Sequence, residues 1–137
     1  MPQRAVIDAN VAIKWFIEED GHDRARALLT GGDRLIGPDL VLIECVNIAW
    51  KKWRQGSLDA ADVAEITQLL PDAFAVITDS REVLVSAARL SLRLNHPAYD
   101  CLYLAVAEDR GAVLVTADDR LIRAVQGTPW QGLVRPL

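Results

Sequence analysis

The sequence predicts an α/β domain, a parallel sheet sandwiched between helices. Two observations predict it. Short apolar strand segments alternate with helical segments throughout the chain, which is the pattern of a sheet covered by helices. The 137 residues are 51% hydrophobic and 25% charged. That is one ordinary globular domain over 1–137, with a core that needs neither disulfide nor structural metal. Right-handed crossovers follow, and ligands of such sheets bind beyond the carboxyl ends of the strands.

Each element has a local reason. Ala5-Val6-Ile7 reads as a buried strand ending at Asp8. Asn10 to Phe16 reads as a helix, broken at Asp20-Gly21, and His22 to Leu29 as a second, closed by Gly31-Gly32. Arg34 to Ile36 is a strand stopped by Gly37-Pro38. Leu40 to Arg54 is a strong helix with Pro38 and Asp39 at its start and Gln55-Gly56 at its end. Ser57 is expected to cap a helix running to Leu70, before Pro71. Phe74 to Ile77 is a strand. Asp79 or Ser80 starts a helix to about Leu94, and Asn95-His96-Pro97 turns the chain. Tyr99 to Arg110 is helical and Gly111 ends it. Ala112 to Thr116 is the clearest strand, Asp118 to Val125 a short helix, and Gly132 to Arg135 an edge strand.

Fifteen Lys and Arg against nineteen Asp and Glu give a net charge of −4. This excludes a simple basic nucleic-acid binder, but not a nuclease whose acidic site needs cations. Cys45 and Cys101 have no zinc spacing and lie in apolar helical runs, as reduced core thiols of a cytoplasmic protein do. The apolar stretch before Asp8 is too short for a signal peptide, and no run approaches a membrane span. A cytoplasmic address is expected.

Four carboxylates converge on one rim. Asp8 and Asp118 follow two strands at their carboxyl ends. Asp100 is placed by arithmetic: the helix from Asp100 to Arg110 spans ~15 Å, and the strand from Ala112 to Thr116 runs back ~16 Å. Asp100 therefore returns to the level of Thr116. From Leu40 to Trp50 only Glu44 and Asn47 are not apolar. A helix so apolar is expected to be buried nearly all round, where a carboxylate needs a partner. Each acid has a structural alternative: a helix cap for Asp8 and Asp118, a charge complementing a helix N-terminus for Asp100, an arginine salt bridge for Glu44. Together they cannot all stay ionised without cations, and hard divalent ions, Mg²⁺ or Mn²⁺, suit oxygen ligands.

These residues carry a family resemblance. The segments Val6-Ile7-Asp8-Ala9-Asn10, Pro38 to Glu44, Tyr99 to Ala105 and Val115-Thr116-Ala117-Asp118 resemble the four acidic motifs of PIN-domain nucleases. In length and order the chain resembles the VapC toxins of bacterial and archaeal toxin–antitoxin pairs. The resemblance implies a three-layer sandwich with a central parallel sheet of about five strands flanked by helices. It implies a Mg²⁺-dependent endoribonuclease silenced by a cognate VapB-like antitoxin, a homodimer, and cleavage leaving a 3′-hydroxyl and a 5′-phosphate. Asp8, Glu44, Asp100 and Asp118 match the acidic quartet as metal ligands and catalytic groups, Asp8 and Asp100 holding the main ion. Asn10 and Thr116 match its polar neighbours. Ala9 stands where many members carry Thr or Ser, and Asp119 is a second candidate at the fourth motif.

RNA must approach an acidic protein, and Lys14, Lys51, Lys52, Arg54, Arg89 and Arg93 are candidate phosphate contacts, with solvated helix faces as the alternative. Single-stranded or looped RNA is the expected substrate. Trp15, Phe16, Trp50 and Trp53 read as core by default, and Trp130 as packed against the sheet. Trp53, set among Lys51, Lys52 and Arg54, marks a partly exposed face on which an antitoxin helix fits. His22 and His96 have no partner by spacing and receive no chemistry. A phosphoryl-accepting receiver domain would need a lysine after a late strand, yet Lys14, Lys51 and Lys52 are the only lysines. A haloacid-dehalogenase-type phosphatase would need Asp where Asn10 stands. A catalytically inactive PIN fold serving as a protein-binding module is the remaining alternative.

Overall fold

The computed structural model describes residues 3–137; Met1 and Pro2, which the expected domain includes, lie outside the described residues. The strands are β1 (Arg4–Ile7), β2 (Arg34–Pro38), β3 (Val76–Thr78), β4 (Val113–Thr116) and β5 (Val134–Pro136). They form one parallel sheet in the order β3-β2-β1-β4-β5. The helices are α1 (Ala9–Ala12), α2 (His22–Thr30), α3 (Leu40–Arg54), α4 (Ala60–Leu69), α5 (Ser80–Leu94), α6 (Ala98–Arg110) and α7 (Asp119–Val125). Among the described residues no helix is long and apolar enough to cross a membrane.

The strand order fixes where a site can form. From β1 the chain steps outward through β2 to β3, then crosses back to β4 and on to β5. Right-handed crossovers place α1 to α4 on one face and α5 to α7 on the other. The direction reverses between β1 and β4, and the crevice beyond their carboxyl ends is the switch point. Ile7 pairs with Val115, so the next residues in register are Asp8 and Thr116. Helix α6 runs across β1, β2 and β4, and its residues from Cys101 to Ala107 are all buried. Gly111 ends it in the left-handed conformation, φ 61°, and sends the chain back into β4.

Six sequence expectations need correction. Gly37-Pro38 does not stop the second strand: β2 runs through both, paired with Ile77 and Thr78 of β3. The helix expected from Asn10 to Phe16 is α1 followed by a 3-10 turn, Ile13–Trp15. The cap of α4 is Asp59 rather than Ser57: its side chain accepts from the Asp62 amide while Asp62 accepts from the Asp59 amide, a capping box. The strand expected from Phe74 lies at Val76–Thr78. Residues Leu70–Ala73 form a 3-10 turn, and Phe74 is drawn into the core against Trp15, ring centroids 5.5 Å apart. The edge strand is Val134–Pro136, because Gln131–Leu133 is a 3-10 turn. Finally, α3 is not buried all round. Val41, Cys45 and Ala49 are its buried stripe, while Ile43 is 62% and Trp50 43% exposed.

Candidate active site

Asp8 lies in the switch-point crevice, and its environment follows from the register. It is 5% exposed. Its backbone amide donates to the Val115 carbonyl at 3.1 Å. The Thr116 hydroxyl donates to its Oδ2 at 2.8 Å, and Asn10 Nδ2 reaches the same oxygen at 3.4 Å. Asp8 stands at the N-cap position of α1, yet its side chain makes no cap hydrogen bond. Burial pushes its carboxyl up to about 7; the Thr116 bond opposes this, and repulsion from Asp100 and Glu44 adds to it. Asp8, Asp100 and Glu44 therefore share one electrostatic neighbourhood.

Asn10 and Thr116 tie the two strand ends together. Asn10 Oδ1 accepts from the Ala117 amide at 3.1 Å, and Thr116 Oγ1 accepts from the Asp118 amide at 3.0 Å. Asp118 thus sits on a turn bonded to the same threonine that holds Asp8. Its Oδ1 also accepts from the Arg120 amide at 2.9 Å, so the helix-cap alternative describes part of what Asp118 does. Asp119 is exposed at the first turn of α7, in a small cleft with Lys14, Arg24 and Leu137.

Glu44 has no arginine partner among the described residues. Its Oε1 accepts from the hydroxyl of Tyr103 at 2.6 Å. Tyr103 is fully buried in α6, so it links α3 to α6 beneath the rim. Half-burial raises the Glu44 carboxyl, the Tyr103 bond lowers it, and Asp100 raises it again; the net direction is upward. Burial and the nearby Asp8 and Glu44 carboxylates hold the Tyr103 hydroxyl protonated. Cys45 packs under the same rim, and burial pushes its thiol up to about 12, as an inert core thiol requires.

Asp100 has a partner the sequence did not reveal. His96 Nε2 lies 2.6 Å from its Oδ2. Tyr103 was equally unforeseen. Helical spacing was the available signal for His96, four residues before Asp100; the Tyr103 bond to Glu44 joins two helices and had none. Pro97 and the turn around it hid the first relation. His22, by contrast, only bonds the Lys14 carbonyl, at 2.6 Å.

The expected phosphate contacts divide. Lys14 and Lys52 both pair with Glu19, at 3.2 and 3.0 Å. Arg93 lies over the Trp130 ring at 5.6 Å, and Trp130 Nε1 donates to Glu108 at 2.7 Å. Arg54 lies over Trp50 at 5.5 Å. Lys51 and Arg89 are exposed. Trp15 is core, its Nε1 donating to the Ala25 carbonyl at 2.9 Å. Trp53 is 48% exposed, as its basic neighbours led us to expect.

Among the described residues, no three His, Cys, Asp or Glu side chains stand grouped as they are to hold a metal ion. Fit to a cation rests instead on the donor set. The rim carries four carboxylates, and neither Asp8 nor Glu44 pairs with Lys or Arg among the described residues. Hard oxygen donors of this kind suit Mg²⁺ or Mn²⁺.

Known proteins resemble this chain in sequence and in fold. The Ribonuclease VapC3 of Pyrobaculum aerophilum is 28% identical over 120 residues, covering 86% of this chain and 92% of that protein. The Exonuclease VapC9 of the same organism is 32% identical over 88 residues, 64% of this chain and 65% of that one. The crystal structure of VapBC2 from Rickettsia felis, bound to a DNA fragment from its promoter, shares the fold: TM-score 0.71, 15% identity, covering 98% of this chain and 99% of that one. The family model of the PIN domain matches residues 5–126, a span that contains all four acids, and the chain belongs to the PIN domain family.

Proposed function

We propose that this protein is a VapC-type toxin, a metal-dependent endoribonuclease held silent by a cognate antitoxin. The observation that carries the reading is Asp8. It is a buried carboxylate with no cation partner among the described residues, pushed up to about 7 by burial and by Asp100 and Glu44. The names of the VapC relatives and the fold shared with a toxin–antitoxin pair support the same reading.

Asp8 and Asp100 would hold Mg²⁺, with Mn²⁺ as a substitute, and Glu44 and Asp118 would complete the shell or a second site. A bound divalent cation supplies Lewis acidity to an attacking water and offsets charge on the scissile phosphate. The chain's own residues do the rest. Thr116 and Asn10 hold the Asp8 carboxylate and the Asp118 turn in register, so both acids face one phosphate. Tyr103 fixes the Glu44 carboxylate at the opposite wall. Of the six expected phosphate contacts, Lys51 and Arg89 are exposed and engaged by neither an acid nor a ring, and are open to flanking phosphates of a single-stranded RNA. Addition of water to phosphorus with cleavage of the P–O3′ bond, the water's proton passing to the leaving oxygen, would give the 3′-hydroxyl and 5′-phosphate.

Two apolar surfaces support the partners. A groove of about 430 Å³ between the starts of α3 and α6 and the first half of α5 exposes Ile43, Leu84 and Tyr99, ground for a second copy in a homodimer. Trp50 and Trp53, half-exposed on the last turns of α3, offer an antitoxin helix an apolar seat. All of this belongs in the cytoplasm, where RNA and antitoxin are.

The test is cleavage of a mixed RNA pool by antitoxin-free protein, with Mg²⁺, with Mn²⁺ and with EDTA, beside Asp8→Asn. Cleavage lost in EDTA and in the variant is expected. Cleavage that persists in EDTA sinks the metal mechanism. A folded protein that neither cleaves any RNA nor binds metal is a protein-binding module.

A further inference from the structure

We infer that His96 is a positioning residue for Asp100, holding one carboxylate oxygen so that the other is presented to the rim. The inference rests on reading the rim as a cation site. Its basis is the join between α5 and α6. Asn95 takes the left-handed conformation, φ 48°, and ends α5. The His96 backbone is then fixed on both sides. Its amide donates to the Ser91 carbonyl at 3.2 Å, and its carbonyl accepts from the Ser91 hydroxyl at 2.6 Å and from the Cys101 thiol at 3.7 Å. Pro97 stands at the N-cap of α6 with its φ set by the ring. A short turn with so many bonds has little freedom to move the imidazole.

That imidazole is 10% exposed, and its Nε2 lies 2.6 Å from Asp100 Oδ2. An ionised carboxylate only accepts, so Nε2 carries the proton and donates. Oδ2 is thereby occupied and Oδ1 remains open. Asp100 stands close enough to Asp8 and Glu44 to repel both, so its carboxylate shares their neighbourhood. Without the histidine, the Asp100 carboxylate would be free to rotate in the first turn of α6 and to hydrate. Partners that hydrogen-bond a ligating side chain commonly contribute 10–100-fold in metal affinity, as an order of magnitude.

The experiment titrates the full chain with Mn²⁺ by calorimetry: wild type, His96→Leu, His96→Gln and His96→Asn. Metal-free thermal melts confirm that each is folded. The glutamine amide reaches the place of Nε2 and restores a donor; the asparagine amide is too short. His96→Leu and His96→Asn are expected to bind Mn²⁺ about tenfold or more weakly, and His96→Gln to recover to within about threefold of wild type. If leucine disrupts folding, the glutamine and asparagine pair decides alone. Wild-type affinity in His96→Asn, or in a folded His96→Leu, overturns the inference and leaves the rim standing. Failure of the wild type itself to bind Mn²⁺ overturns the rim reading and this inference with it.

Discussion

Asp8 shows how one residue's place in the register becomes chemistry. Its ordinary value is 3.8, and in the fold it rises to about 7. The sign is therefore that of a raised acid: the folded chain holds the proton between those values and the unfolded chain does not. Metal-free protein is expected to lose stability from this group as pH climbs from 4 to 7, by on the order of a few kcal/mol. Thermal melts across that range should show the slope in wild type and not in Asp8→Asn, which should melt higher than wild type at pH 8. Tyr103→Phe removes the donor to half-exposed Glu44, and should cost about 1.5 kcal/mol in urea unfolding while raising the Glu44 carboxyl further. Asp8, Asp100 and Asp118 were legible because strand ends and a helix–strand return place them by length alone. His96 and Tyr103 were not, because a side chain's partner across a proline turn or between two helices is decided by packing.

At the scale of the element, local chemistry told the boundaries and tertiary packing decided the exceptions. The bounds Leu40–Arg54 of α3 are those the apolar pattern gives. Its burial is not, since apolar residues on the outer face, Ile43 and Trp50, stay exposed. An apolar helix is buried only as far as there are elements to cover it, and among the described residues none covers that face. The start of α4 makes the opposite point. Ser57 and Asp59 are both good caps by type, and only Asp59 has an acid three residues on to complete the box. Asp59→Ala is expected to destabilise the protein by about 1 kcal/mol in chemical denaturation, and Ser57→Ala to leave the midpoint unchanged.

At the scale of the molecule, the sheet order brings the acids together. The α/β class and the strand segments were legible from alternation, but the order β3-β2-β1-β4-β5 depends on which strands pair, which no local pattern states. That order makes β1 and β4 neighbours and puts Asp8 and Thr116 side by side at the switch point. Mn²⁺ should raise the melting temperature of wild type, more at pH 8 than at pH 6, because the ion competes with the Asp8 proton. The most direct test of the central claim, that this crevice trades a buried proton for a divalent cation, is Mn²⁺ calorimetry at pH 6 in buffers of different ionisation enthalpy. Wild type is expected to bind Mn²⁺ and release close to one proton, and Asp8→Asn to release none. Mn²⁺ binding with no proton release, or with the same release in Asp8→Asn, would contradict it.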